Sequence, residues 1–570
     1  MDRLKQLAIG IAIVVSTVAH AQNSKLQPGA NAITTQTRET IFVHANATTF
    51  VIGETLYYKI YTRSRTDYSP SAVSRIAYIA LVDNSHKSMF TQKVSLEQGV
   101  GQGDFFIPTT LKTGNYKLLA YTRWTQNQPD FAYAIDLSVI NPFQPLNKSG
   151  IVSNITKDTL LKTSDLLRIS LGKKTYGLRE KVTVNIQSLQ KAVKGNFSLS
   201  VRKIDALPSK EAPDAVAFLL GETKKDKNTF ALNQIPELRG ELLSGTITSK
   251  KEQQDLNHKT VALSITGKSF AVKIAETDRQ GRFSFVLDPK PNLGQMTIQV
   301  MDDARQDFSI QVDQAPQPDW SSLQFEPEFP LNPELQAAIE SRAVASQIEN
   351  AYYSQKKDSI AENRLSEAFF GSIQKEYVLD DYTRFPSMKE TITEVLKEMY
   401  FTKKDGKYTI NLRNYVTNNE GFGYPLLLVD GLVIQDANEL FDYNPENIYK
   451  VSIVNQPYVY GPKTFSGVIN IETKNQDYQT AANGDFIKKI ESQRPPNRKF
   501  YFGPDYALKA DTRIPDYRYQ LLWEPSLRLE TTNTEIGFYT SDLAGKFEIV
   551  LEGFTDKGLP VSIKAFIEVK

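Results

Sequence analysis

Along much of this chain short apolar runs of strand length are separated by turn signals. Between Thr40 and about Asn141 the runs 41–44 (IFVH), 56–61 (LYYKIY), 76–82 (IAYIALV), 105–107 (FFI) and 116–121 (YKLLAY) are β-branched and aromatic. Turn signals at Asp83-Asn84, Gly101-Gln102-Gly103 and Thr113-Gly114-Asn115 separate them. Strands at this spacing predict a sandwich of about 100 residues, closed by Asn141-Pro142 and Pro145.

Two internal echoes extend the pattern. Phe50-Val-Ile-Gly-Glu54-Thr-Leu-Tyr-Tyr-Lys-Ile60 aligns without gaps on Tyr176-Gly-Leu-Arg-Glu180-Lys-Val-Thr-Val-Asn-Ile186, so one sandwich template is expected twice. Thr277-Asp278-Arg-Gln-Gly281-Arg-Phe283 matches Ser541-Asp542-Leu-Ala-Gly545-Lys-Phe547, a hairpin signature. In it Asp bonds its own backbone, Gly takes positive φ, and Phe enters the core.

The period changes after residue 312. Pro316, Pro318, Pro327, Pro330 and Pro333 mark an extended linker. Asn332-Pro333-Glu334 then predicts the start of a helix to about Lys357. Its stripe is Leu335, Ala338, Ile339, Val344, Ala345, Ile348, Ala351 and Tyr352. A second helix is expected over Met388–Met399, with Ile392, Val395, Leu396 and Met399 on one face. Apolar strands at 425–429, 448–454 and 467–471 make this the α+β part of the chain. The expected class is therefore mainly β: tandem immunoglobulin-like β-sandwiches with one α+β unit.

The first residues carry a leader pattern. Arg3 and Lys5 precede an apolar stretch from Leu7 to Val18, and Ala19-His20-Ala21 supplies a small-x-small cleavage site before Gln22. About 12 apolar residues are too few to span a ~30 Å hydrocarbon layer, so export is expected rather than an anchor. No later run approaches membrane-spanning length, and no transmembrane segment is expected in the mature chain.

At 570 residues the chain exceeds one core, which predicts three to five domains of about 100–150 residues. Hydrophobic residues at 40% and charged residues at 23% fit a folded chain and exclude a disordered one. The balance of 67 basic against 65 acidic side chains leaves no electrostatic footprint for nucleic acid. The absence of cysteine excludes disulfides, catalytic thiols, zinc–thiolate sites and a lipidated anchor. A partner must hold the protein if it works at a membrane.

Two stretches resemble known families. Phe42-Val-His44, Gly53-Glu54, Gly103-Asp-Phe-Phe-Ile-Pro108 and Gly114-Asn-Tyr-Lys-Leu-Leu-Ala-Tyr-Thr122-Arg-Trp124 look like the macroglobulin-type sandwich of large exported Bacteroidetes proteins. Pro425-Leu-Leu-Leu-Val-Asp430-Gly431, Asn444-Pro445-Glu-Asn-Ile448, Tyr460-Gly461 and Gly467-Val-Ile-Asn470-Ile-Glu-Thr-Lys474 are similar to the plug of TonB-dependent outer-membrane transporters. A transporter plug precedes a barrel of many alternating strands. Residues 475–570 read instead as a linker and one sandwich, and Gly461-Pro-Lys-Thr-Phe-Ser-Gly467 replaces the usual Arg-Gly-Ala-Asn-Gly. The resemblance thus implies a plug fold apart from its barrel.

The expected division is a signal peptide at 1–21, a macroglobulin-like sandwich at 36–145 and a second sandwich at 160–235. A carboxypeptidase-regulatory-like sandwich at 236–312, a Pro-rich linker and helix at 313–374 and the plug-like unit at 375–475 follow. A linker at 476–514 and a C-terminal sandwich at 515–570 complete it.

Candidate chemistry is sparse. Beyond the leader the histidines are His44, His86 and His258, each in a different stretch, which argues against a triad or a His-rich metal site. A thioester of the macroglobulin type needs Cys, which is absent. Asp380-Asp381 and Asp302-Asp303 read as solvated turns, since adjacent strand residues point to opposite faces. No P-loop, nucleophile elbow or dinucleotide fingerprint occurs. No catalytic residue, cofactor or metal is therefore assigned.

The candidate partner contacts are aromatic: Tyr458 and Tyr460 between Pro457 and Pro462, and Phe500, Tyr501, Phe502 and Tyr506. Their alternative is packing of the linker onto the sandwiches. The expected function is a non-enzymatic accessory or scaffold protein of the bacterial envelope, periplasmic or outer-membrane associated, that binds an outer-membrane barrel or transporter. The rival is a binding module that presents glycan or peptide to such a transporter.

Overall fold

The computed structural model describes residues 38–570 apart from 145–160, 226–230, 268–269, 289–293, 315–316, 327–332, 362–368, 372, 414–422, 492–493 and 508–512. The expected signal peptide at 1–21 and the Asn332 cap lie outside the described residues. The fold is mainly β, in packed sheets with two α-helices of ten residues or more, Ala215–Lys224 and Gln336–Ala351, among the described residues.

The first sandwich packs a three-stranded sheet on a five-stranded one. Strands Glu39–Ala45, Thr55–Ser64 and Val100–Phe106 lie side by side in that order. The larger sheet runs Thr49–Val51, Tyr133–Ile140, Gly114–Tyr121, Ile76–Asp83, Ser88–Ser95. Alternate residues Leu56, Tyr58 and Ile60 face Ala77, Ile79 and Leu81 across the core. The run at 76–82 is apolar throughout because its other face is also covered. There Trp320 lies over Ile76, Tyr78, Ala80 and Tyr121, with Leu323 and Phe325 beside it. Residues 320–325 of the Pro-rich linker are thus a strap across the sheet.

The second sandwich corrects the expected boundaries. The stretches at 160–235 and 515–570 do not form separate units but share two sheets. One sheet orders Thr175–Tyr176, Pro560–Val569, Gly545–Thr555, Gly195–Lys203, Gln520–Leu529, and the other orders Asn533–Tyr539, Lys181–Ser188, Leu167–Leu171. Strand for strand this is the order of the first sandwich. In both, the short second strand pairs parallel with the last one, Thr49–Val51 on 138–140 and Thr175–Tyr176 on 568–569. The echo between Glu54 and Glu180 is the same turn twice: each carboxylate accepts the backbone N–H three residues earlier, from Val51 at 2.9 Å and from Gly177 at 2.6 Å. Everything from 204 to 519 is an insertion between the fourth and fifth strands.

The insertion begins with helix Ala215–Lys224, capped by Asp214, which accepts from the N–H groups of Val216 and Ala217. A third sandwich follows, with sheets Arg282–Leu287, Glu241–Ser249, Phe308–Val312 and Ala271–Glu276, Thr260–Ile265, Met296–Val300, Ile487–Ile490. Its last strand comes from the expected linker 476–514, another correction: Ile487–Ile490 pairs antiparallel on Met296–Gln299, and Phe486 enters the core. The pattern IKKI carries no strong strand signal, because its register is imposed by the sheet it joins.

The α+β unit has a sheet of order Lys375–Val378, Ile448–Val454, Val468–Thr473, Leu426–Val429, Leu432–Val433. Asp430 (φ 50°) and Gly431 (φ 82°) make the two-residue turn between its last two strands. The helix expected over Met388–Met399 ends at Glu394, and Met399 instead begins the hairpin Met399–Lys404, Lys407–Leu412. The four expected core residues are all buried, so the face was read rightly and the length wrongly. The long helix also departs from its expected stripe: Val344 and Ala351 face outward, while Arg342, Ala343 and Ser346 face inward.

The hairpin echo divides. Asp278 accepts the N–H groups of Gln280 and Arg282 at 2.9 Å, as expected. Asp542 instead accepts from Arg179 and from the N–H of Asp516, tying the part of the second sandwich before the insertion to the part after it and to the insertion's C-terminal end.

Candidate functional site

A cluster of buried polar groups lies where the first and second sandwiches meet the helix Gln336–Ala351. Glu54 follows a tight turn at Gly53, and Arg342 stands on the inward face of that helix. The Arg342 guanidinium donates to Glu54 through Nε–Oε1 at 2.7 Å and Nη2–Oε2 at 2.8 Å. It also donates to the Thr49 carbonyl at 2.6 Å and to Asp205 at 3.2 Å. Arg202 of the second sandwich reaches Glu54 Oε1 at 3.1 Å. Two cations and two anions from three segments thus close on one another. Burial would raise the Glu54 carboxyl, but the guanidiniums of Arg342 and Arg202 outweigh it and hold it below the ordinary range. Burial opposes the charge on Arg342, yet Glu54 and Asp205 hold that charge more firmly than usual.

A second buried group lines the same junction. His44 Nδ1 and Tyr61 OH both meet Ser198 Oγ, at 2.7 and 3.0 Å. Burial, then the nearby Lys59, pushes His44 down to about 3, so the ring is neutral. Glu552 accepts from Ser562 Oγ at 2.6 Å and from the N–H of Ala215 at 3.0 Å, which fastens the short helix. Burial pushes this carboxyl up to about 7.

Two open clefts flank the junction. One, of about 450 Å³, is bounded by residues 42–49, the 203–214 loop and Glu552. The other, of about 620 Å³, lies between Tyr57, Phe106, Tyr353, Phe502 and Tyr519. Among the described residues no group of three or more His, Asp and Glu is placed to hold a metal ion.

The expected contact residues fall into two separate places. Tyr458 and Tyr460 lie on the short hairpin Tyr458–Tyr460, Lys463–Phe465, at the seam between the α+β unit and the third sandwich. Their hydroxyls donate to the carbonyls of Phe369 (3.0 Å) and Val272 (2.6 Å). Only Val459 between them is largely exposed. The second cluster belongs to the sandwich junction. Tyr501 packs edge-on to Tyr57 at 4.9 Å and donates to Asp104, and Tyr506 donates to Asp516 at 2.6 Å. Phe502 lines the larger cleft, and Phe500 remains half exposed on a strand paired with Ser359–Ile360.

Sequence reading missed Glu54, Arg202, Asp205 and Arg342 as a set. The only available signal was Arg342 interrupting an apolar stripe three residues after Ile339. The histidines are as separate as their sequence positions suggest: His86 meets the Trp320 carbonyl, and His258 meets Glu276. Asp380 is a surface residue paired with Arg384.

Among the described residues, no helix is long and apolar enough to cross a membrane. No family model matches the chain, and no curated protein matches it. Solved structures align over most of it at low similarity. Escherichia coli alpha-2-macroglobulin activated by porcine elastase covers 93% of this chain and 44% of its own, at 10% identity and a TM-score of 0.25. The native conformation of the E. coli protein covers 96% and 40%, at 11% identity and a TM-score of 0.24. Dimeric latent PorU from Porphyromonas gingivalis covers 49% and 33%, at 9% identity and a TM-score of 0.16. The chain therefore spans less than half the length of these macroglobulins, and likeness at this level carries no argument about what it does.

Proposed function

We propose that the chain is a non-enzymatic scaffold of a bacterial envelope that binds an outer-membrane protein complex. The observation that carries this reading is how the perturbed titratable groups are used. Glu54, Arg202, Asp205 and Arg342 are spent on one another across three segments. His44 is held neutral against Ser198, and Glu552 accepts the N–H of Ala215 at the start of helix Ala215–Lys224. Such groups fasten modules together, whereas an acid–base site keeps a group poised toward a substrate. The result is a frame of strand-rich modules with edges such as Lys375–Val378, paired on one side only among the described residues. An edge of this kind accepts a partner's strand. The likeness of 425–474 to a transporter plug supports a barrel protein as that partner.

The test is co-purification of the tagged chain from envelopes solubilised in mild detergent. The scaffold reading expects a barrel protein at constant ratio across two columns. Recovery of the chain alone from the soluble fraction contradicts it.

A further inference from the structure

On strand Thr55–Ser64 of the first sandwich, Lys59, Tyr61 and Arg63 turn toward the second sandwich, as alternate strand positions do. Two of them find oxygens there. Lys59 donates to Oδ1 of Asn196, and Tyr61 donates to the carbonyl of Glu552 at 3.1 Å. Arg63 does not. It is 1% exposed, yet its Nε and Nη1 have no hydrogen-bond partner among the described residues. Its guanidinium lies over the Phe554 ring, 4.4 Å from the centroid, a contact that engages the flat face and leaves the N–H edges open. Nε belongs to one two-point edge of the fork and Nη1 to the other, so neither edge is used as a pair. Burial pushes Arg63 down to about 10, against the pull of Tyr61 and Asp556, and it stays charged at neutral pH. A buried charge is costly unless an anion meets it.

Asp556 is spent elsewhere, since its two oxygens accept from Arg528 at 2.7 and 2.8 Å. Arg63, Phe554, Arg528 and Asp556 line one cavity of about 260 Å³ at the seam between the two sandwiches. Arg63 and Phe554 are its buried floor, and Arg528 and Asp556 its part-exposed rim. Asn196 lines it too, and with its oxygen given to Lys59 it offers the cavity its amide N–H groups. Val100 and Pro70 supply an apolar wall. Two guanidiniums against one carboxylate leave a single net positive charge, which matches a carboxylate better than a doubly charged phosphate. The volume is smaller than that of sites for drug-sized ligands and suits a single residue or a small acid.

We propose that this cavity binds a carboxylate, the C-terminal carboxylate of a peptide whose last side chain packs on Val100 and Pro70. The carboxylate takes an edge of the Arg63 guanidinium and the amide N–H of Asn196, while Arg528 closes the rim. A free small acid offers the same chemistry, and the peptide is favoured by the apolar wall, which a bare acid leaves uncovered. The site is shared, because Arg63 comes from the first sandwich and Asn196 and Arg528 from the second. It stands apart from the barrel partner of the scaffold reading and holds or fails without it.

The test is isothermal titration calorimetry of the purified full chain with four probes: the tripeptide Ala-Ala-Leu as free acid, its C-terminal amide, acetate and inorganic phosphate. The free acid is expected to bind about tenfold or more tighter than the amide, with acetate weaker than the peptide. Acetate binding as tightly as the peptide keeps the carboxylate site and assigns it to small acids. Equal affinity for acid and amide, no binding of the acid, or a preference for phosphate overturns the proposal. Arg63→Met is expected to abolish binding, and wild-type affinity in that variant overturns it as well. Asp556→Asn changes only the rim and adds one net positive charge, so it is expected to tighten the free acid about threefold. Unchanged or weaker affinity there overturns the charge matching.

Discussion

Arg342 closes a two-point pair on Glu54, 2.7 and 2.8 Å long, from a helix 288 residues further along the chain. That pair decides how the frame is held. The helix has no side-chain cap at its start, and its face is not uniformly apolar, so its position depends on this contact and on Ile339 packing over Val51 and Ile140.

Arg342→Ala leaves Glu54 and Asp205 buried with Arg202 as their remaining cation. Breaking a buried pair on one side is expected to cost about 3 kcal/mol. Urea unfolding of the variant checks this, and a loss below about 0.5 kcal/mol would place the pair among surface contacts of no consequence.

Stability should fall as the pH rises through neutrality. Burial raises the carboxyls of Glu237 and Glu552 from 4.5 to about 7 in the folded chain. Their contribution is complete below the unfolded value and is lost as the pH climbs past about 7, on the order of 3 kcal/mol for each. Glu54 and Asp516 act in the opposite sense at low pH, since both are held below the ordinary range and lose their contribution on acidification. Thermal melts from pH 5 to 8.5 should show the decline, and Glu552→Gln should flatten part of it. A wild-type midpoint that rises across that window contradicts the assignment.

Phe486 anchors the strand that the third sandwich borrows from the later part of the chain. Phe486→Ala removes a buried ring and is expected to cost about 3–5 kcal/mol locally. The released segment should become sensitive to trypsin at Lys488 and Lys489 well before the rest of the chain unfolds. Unchanged cleavage would mean that the edge pairing, not the ring, holds the strand.

The turn at Asp430-Gly431 is read from sequence and explained by structure. Asp430 accepts from Thr473 N–H (2.7 Å), Thr473 Oγ (2.6 Å) and Tyr478 N–H (3.1 Å). A Cβ on Gly431 would come within 2.3 Å of the Phe270 Cβ, and its φ of 82° suits no other residue well. Gly431→Ala should therefore loosen the seam between the α+β unit and the third sandwich, at about 2 kcal/mol. Differential scanning calorimetry would show it as an early transition, and a melt identical to wild type would refute it.

These cases show what the pattern of residues discloses. Apolar, β-branched and aromatic runs locate the strands at 56–61, 76–82 and 448–454, and the Asp-Gly turn fixes its own geometry, because both are local. Partner strands are a different matter. Nothing in Gly195–Lys203 announces that its neighbours are Gln520–Leu529 and Gly545–Thr555, since any half-buried strand satisfies the same alternation. The second sandwich was therefore read as two. Tyr458, Tyr460 and Tyr506 read in sequence as candidate partner contacts, while their hydroxyls bond to Phe369, Val272 and Asp516 within the chain, groups that local pattern does not bring together. Arg342 shows in sequence only as an interruption of an apolar stripe, because a buried charge is recognised by what surrounds it.

The central claim is that this frame meets an outer-membrane protein, and lysine-directed crosslinking in intact cells with mass spectrometry tests it most directly. Lys375, Lys389, Lys403 and Lys407 distribute reactive amines over the α+β unit. The account predicts crosslinks from these lysines to a barrel protein of the outer membrane. Crosslinks confined to the chain itself, at a yield that detects its known internal neighbours, would contradict it.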